Sequence, residues 1–276
     1  MTLNRQDNRF SERRLSALVT LLQDDNQQVA SLAMEHLLSL GQVADTTIAE
    51  YQESQDPQLR QRVHQLSSIL ARRRSREAFI AALGREDLSL WDGIVQIHSL
   101  FEPIPPRQTL EARVDEIAAD LQPGATMTHQ IADLMREKEF TVPSDDILDV
   151  DLFLVNRVLE TRYGHAALLC VLAKRIAQSA GWQATICLHG GRFCLIDRDH
   201  ILLKPAEGWQ YSRIATSERI HPCSRKDVLL AILAQLFMVA LIDGQLKDLH
   251  HFGTILTALN GQTLSALPYP LNSDPS

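Results

Sequence analysis

The chain has only four cysteines, at 170, 187, 194 and 223, and no two of them are spaced C-x-x-C. That spacing excludes a zinc knuckle and a thioredoxin-type redox motif. Free, buried thiols in a reducing compartment are the expected state. An excess of basic charge is missing too. The formal net charge is −7, which removes any global electrostatic ground for binding nucleic acid or an acidic membrane. The N-terminus, "MTLNRQDNRFSERRL", lacks the apolar core of a signal peptide. The run "VLLAILAQLFMVALI", Val228 to Ile242, has fifteen residues. As a helix it reaches about 22 Å, short of the roughly 30 Å of a bilayer core. Gln235 interrupts it, and Asp227 and Asp243 bracket it. A helix inside a protein core is expected, with the cytoplasm as the address and neither membrane nor nucleic acid as a partner.

What is present is the balance of an ordinary globular protein, 45% hydrophobic and 22% charged over 276 residues. That length allows one large domain or two small ones. From Ser11 to Arg74 the pattern is one of helical hairpins. Leu15, Leu18, Val19 and Leu22 make one apolar stripe, and Val29, Leu32, Ala33 and Leu37 a second, across an Asp-Asp-Asn turn. The arrangement recurs after about thirty residues. The turn "QDPQ" is followed by Leu59, Val63, Leu66 and either Ile69 or Leu70. "ARRRSRE", Ala71 to Glu77, marks the seam between this block and the remainder of the chain and reads as a solvated helix end.

Beyond the seam, Ser89 with Asp92 forms a capping pattern ahead of a stripe of Ile94, Ile97, His98 and Phe101. His98 on an apolar stripe reads as a core histidine. The prolines of "EPIPPRQ" stop that helix. Leu110, Val114, Ile117 and Leu121 mark a further helix, and Met127, Ile131 and Leu134 another. Helices "DLFLVNRVLETRY" and "HAALLCVLAKRIAQSA" flank Gly164. Three short apolar pieces, "QATICLHGG", "RFCLIDRD" and "HILLKPAEG", then read as strands in hairpins. Two helices close the domain, the first capped by Ser224 with Asp227, and residues 267–276 form a disordered tail. The expected fold is α+β, predominantly α. A helical block occupies residues 1–75, and a domain with a small antiparallel sheet and C-terminal helices occupies 76–266.

A helix start feeding a small antiparallel sheet is the layout of papain- and transglutaminase-like thiol enzymes. In such a site the nucleophilic cysteine sits in the first helical turn, where unpaired N–H groups and the helix dipole favour thiolate. A histidine on a neighbouring strand and an acid on the next complete it. In "RYGHAALLC" the cysteine, Cys170, lies more than a turn inside the helix. Its helical neighbours Ala166, Leu169, Ala173 and Ala177 are apolar, a setting that raises a thiol pKa. Five residues of helix turn His165 about 140° away from it. Cys170 therefore reads as core.

The turn "DPQLRQRV" resembles that of a HEAT-type repeat. The run "DLFLVNRVLETRYGHAALLCVLAKRIAQSAGWQATICLHGGRFCLI" resembles the SirB-type transglutaminase-like family. Asn156, Val158, Leu159, Glu160, Arg162 and Gly164 fall on its pattern, Gly181 stands at the helix-ending glycine, and Gly191 and Phe193 flank the histidine position. The resemblance covers roughly residues 76 to 265 and implies where a triad would lie. The cysteine place is Ala166, the histidine place Arg192, and the acid place Lys204 in "LKPAEG". With none of the three chemistries present, the resemblance implies a pseudoenzyme: a scaffold or adaptor for another protein, with no cofactor and no metal. The alternative is a cryptic thiol hydrolase or acyltransferase using Cys170 or Cys223, the latter beside His221 at a helix start. His189, Cys187 and Cys194 are weaker rescuers, and no ligand spacing favours a metal among His189, Asp199, His200 and His221. A narrower expectation is that His165, Arg192 and Lys204 converge on the helix start as an anion site.

Overall fold

The computed structural model describes residues 13–84, 88–101, 107–121, 124, 127–144, 148–215, 219–259 and 261. The tail at 267–276 and the proline stop at 102–106 lie outside the described residues. The chain divides into two units, Met1–Glu77 and Ala78–Ser276, and is mostly helical with one small antiparallel sheet.

The first unit holds α1 (residues 13–21), α2 (Gln27–Leu40), α3 (Asp45–Glu50) and the start of α4 (Pro57–Leu83). Each longer helix begins where a side chain satisfies its first amides. Asn26 accepts from the Gln28 N–H at 2.9 Å, and Asp56 from the Gln58 N–H at 2.9 Å, with Pro57 at the first helical position. The expected α1 stripe is buried. On α2 the register is shifted: Ala30, Ala33 and Leu37 face the core, while Leu32 is 60% exposed. Leu32 lies about 200° of helix from Ala30, so the two cannot share a face. On α4 the core residue is Leu70, with Ile69 turned outward. The Arg62 guanidinium ties α4 to the turn after α1, donating to the carbonyls of Leu22 and of Asp24, the latter at 3.0 Å. The stretch Ala71 to Glu77, expected to be a seam, is helical throughout, and the division between units falls inside α4. No glycine or proline interrupts the segment after Pro57, so the helix has no reason to stop there.

In the second unit follow α5 (Leu90–Phe101), α6 (Arg107–Ala118), α7 (Met127–Glu137), α8 (Val155–Thr161) and α9 (Ala166–Ile176). Next come β1 (Ala184–His189), β2 (Arg192–Asp197), β3 (Ile201–Lys204), β4 (Gln210–Arg213) and β5 (His221–Pro222), then α10 (Arg225–Ile242) and α11 (Leu246–Leu259). The five strands are ordered β4-β3-β2-β1-β5. The three expected strands are present; β4 and β5 are additional. Gly190 and Gly191, at φ 57° and 79°, make the two-residue turn that sets His189 opposite Arg192. At the other end of β2 the Asp197 carboxylate accepts from the Asp199 and Ile201 amides at 2.9 Å, and from the Thr128 hydroxyl of α7. Trp182 donates to that same hydroxyl at 3.1 Å.

One core cluster joins α9, fully buried from Ala167 to Ala173, to α5, α10 and one sheet face. Where α5 meets α10, a Cβ on Gly93 would stand 2.6 Å from Leu229 Cδ1, so the close approach depends on the missing side chain. The other sheet face carries a smaller cluster of Cys187, Cys194 and Leu202. α10 begins with the expected capping box of Ser224 and Asp227 and buries most of the apolar run. No helix among the described residues is long and apolar enough to cross a membrane.

Candidate functional site

The start of α9 is built from both sides. The Gly164 N–H donates to the Thr141 carbonyl at 3.1 Å, and the His165 N–H to the Leu152 carbonyl at 2.9 Å. A Cβ at Gly164 would meet Val158 Cγ1 at 2.9 Å and Leu169 Cδ2 at 3.0 Å. The bare backbone there lets α8 and α9 pack closely. His165 is the N-cap, and its Nδ1 accepts the Ala167 N–H at 3.2 Å. That bond requires an unprotonated Nδ1. The imidazole ring lies 4.9 Å from the Phe153 ring and 6.1 Å, edge-on, from Phe193. Ala166 is the first helical residue, 7% exposed. The position where a helix terminus would best stabilise a thiolate therefore holds a methyl group.

Strand alternation decides the rest. Ile186, Leu195 and Leu203 belong to the cluster that includes α9, whereas Cys187, Cys194 and Leu202 belong to the cluster on the opposite face. Arg192 and Lys204 alternate with the first set and share the face of the second. Their charges act on the Cys194 thiol. Burial pushes that thiol up to about 11, aided by the Glu207 carboxylate and opposed by Lys204 and Arg192. Lys204 pairs with Glu207 at 3.3 Å. The backbone register therefore sets Arg192 and Lys204 on the sheet face opposite the one packed on α9. The strand residue that reaches His165 is Phe193. The family-like spacing locates Arg192 in sequence, but the register fixed by the Gly-Gly turn sends it to the other face. Counting alternation outward from that turn would have revealed this.

None of the cysteines resembles an activated nucleophile. Cys170 is fully buried, and desolvation holds its thiol well above the ordinary range. Burial lifts Cys187 to about 12. Cys223, the partly exposed thiol, is raised by burial and by the Asp227 carboxylate, against a hydrogen bond from the Leu188 backbone. Its sulfur faces the His221 carbonyl at 3.6 Å. Among the described residues no group of three or more His, Cys, Asp or Glu side chains could hold a metal ion; His189, Asp199, His200 and His221 do not form one.

The residues that carry the family resemblance have structural duties as well. Arg113 donates to Asn156 Oδ1 at 2.8 Å, and the Asn156 amide donates to Glu160 at 2.8 Å. Arg162 ends α8 in the left-handed conformation, φ 69°, with its guanidinium 4.7 Å from the Phe140 ring centroid. Arg113 lies 43 positions from Asn156, and no local pattern connects the two.

The described residues thus build a helix start packed on one face of an antiparallel sheet, with alanine at the first helical position. Residues 106–235 match the family model described as the transglutaminase-like superfamily, and this stretch is a transglutaminase-like domain. It runs from the start of α6 into α10. No curated protein and no solved structure gives a match.

Proposed function

We propose that the protein is a non-catalytic interaction module of the SirB type: a scaffold or adaptor in which Ala166, Arg192 and Lys204 stand where a transglutaminase triad would stand, joined to a HEAT-like helical block that engages another protein in the cytoplasm. The observation that carries this reading is Ala166 at the first position of α9. An alanine cannot form the covalent intermediate on which this chemistry depends. The raised thiols of Cys170, Cys187, Cys194 and Cys223 support it, because each is poorer in thiolate than a free cysteine.

The competing reading is a cryptic thiol hydrolase or acyltransferase. Cys170 offers it little, being sealed in the core. Cys223 is favoured by its partial exposure immediately before the α10 cap. Two measurements separate the readings. Iodoacetamide labelling of the folded protein at neutral pH is expected to be slower at every cysteine than for a free thiol. Ester hydrolysis and glutamine transamidation should stay at the background rate. Turnover that disappears in Cys223→Ala would overturn the proposal, as would affinity capture that retrieves no protein partner.

A further inference from the structure

The far end of α9 borders a different environment. A cavity of about 580 Å³ is lined there by α9, the starts of α5 and α10, and β1. That volume lies within the roughly 300–1,000 Å³ of small-molecule sites. Its described walls carry four basic side chains, Arg107, Lys174, Arg175 and Arg225, and no acidic one. The four are not equivalent. Arg107 is tied to Asp92 at 2.7 Å and to Glu111 at 2.8 Å. Arg225 donates to the Leu88 carbonyl at 2.6 Å. Lys174 and Arg175 form no ion pair among the described residues, and the Arg175 guanidinium lies 5.8 Å from the Trp91 ring centroid.

Trp91 forms part of the wall. It is 6% exposed, and its indole Nε1 donor is buried without a hydrogen-bond partner. Most buried polar groups avoid that state. The helix starts are not the source of attraction, since α10 is closed by its own capping box and the Asp92 amide at α5 is taken by Ser89 at 3.0 Å. The rest of the lining includes the apolar side chains of Val171, Ile186 and Val228. Two cations without counter-charges beside an apolar wall are the complement of an anion attached to a hydrocarbon.

We propose that this cavity binds a small organic anion, a carboxylate or phosphate head on an apolar body, with Lys174 and Arg175 holding the head and the Trp91 ring forming part of the wall. The assignment is independent of whether the chain catalyses anything. It also sets the anion site apart from His165, Arg192 and Lys204.

Calorimetry on the full chain with octanoate, phenyl phosphate and inorganic phosphate tests it. At least one of the first two should bind, and its chemistry identifies the preferred head group. Inorganic phosphate, lacking an apolar body, should bind more weakly. Lys174→Gln, at an exposed side chain, and Arg175→Gln should each weaken binding by about tenfold or more, as expected for a lost charged hydrogen bond. In ¹H–¹⁵N spectra the indole N–H resonance that is missing from Trp91→Phe should shift on binding. Absence of binding by all three probes at millimolar concentration would overturn the proposal. So would unchanged affinity in both glutamine variants, or inorganic phosphate binding as tightly as phenyl phosphate.

Discussion

The two ends of α9 treat polar groups in opposite ways. At its start the His165 ring caps the Ala167 amide, neighbouring backbone groups are paired across to Thr141 and Leu152, and Ala166 leaves no reactive atom. Toward its end, Lys174 and Arg175 have no acidic partner among the described residues, and the Trp91 N–H beside them is unanswered. The first environment is closed and contributes stability. The second keeps unpaired charge around open space with an orphaned donor buried behind it, and so gives up some stability. The start of α9 is thus the quieter of its two ends. The same contrast holds for the thiols, since Cys187 and Cys194 are sealed on the far sheet face whereas Cys223 borders the cavity.

The largest expected effect comes from the sealed thiols. Cys187 is pushed up to about 12, whereas an unfolded chain releases that proton near pH 8.5. Above the unfolded value the unfolded state holds fewer protons, so raising the pH favours unfolding. The contribution is complete below about pH 8.5 and declines by roughly 1.4 kcal/mol per pH unit as pH climbs toward the folded value. Denaturant melts of wild type and Cys187→Ala between pH 8 and 10.5 should differ in slope by about that amount. Parallel slopes would mean that the thiol is not sealed, and the contrast with Cys223 would fail.

The packing at the start of α9 comes next. Gly164→Ala inserts a methyl group within about 3 Å of Val158 and Leu169, and overpacking of this kind costs on the order of 1–3 kcal/mol. A thermal melt that is unchanged would show the helix start to be slack. His165→Ala should cost less, about 1 kcal/mol for a lost N-cap, and His165→Asn should restore most of it, because asparagine caps through a side-chain oxygen. Equal losses in both variants would show that His165 acts through its ring contacts with Phe153 and Phe193 and not through the cap.

How legible this arrangement is from sequence depends on how local its causes are. The α1 and α5 stripes, the Ser224 cap and the three principal strands follow from short-range periodicity, and the structure bears them out. β4 is exposed at every position and β5 has two residues, so neither carries an alternation to detect. Leu32 misleads because an apolar residue on a helical stripe is expected to face inward, while alanines at 30 and 33 do the packing. The cavity is less legible still. Its walls come from segments near residues 90, 107, 175, 185 and 225, and in sequence Lys174 and Arg175 are merely the basic end of a helix.

The smallest expected effect is the most discriminating. If Lys174 and Arg175 serve a ligand and not the fold, Lys174→Gln should leave the stability of the unliganded protein within about 0.5 kcal/mol of wild type. The same should hold for Arg175→Gln, which has no acidic partner to lose among the described residues. By contrast, Arg107→Gln breaks ion pairs with Asp92 and Glu111 at an exposed surface and should lose no more than about 1 kcal/mol. Matched urea titrations at two salt concentrations separate the cases. The Arg107 deficit should shrink in high salt, as exposed ion pairs are screened, while the Lys174 and Arg175 variants should show no deficit at either concentration. A clear loss of stability in Lys174→Gln would place that ammonium within the framework of the fold, and the two ends of α9 would no longer differ in kind.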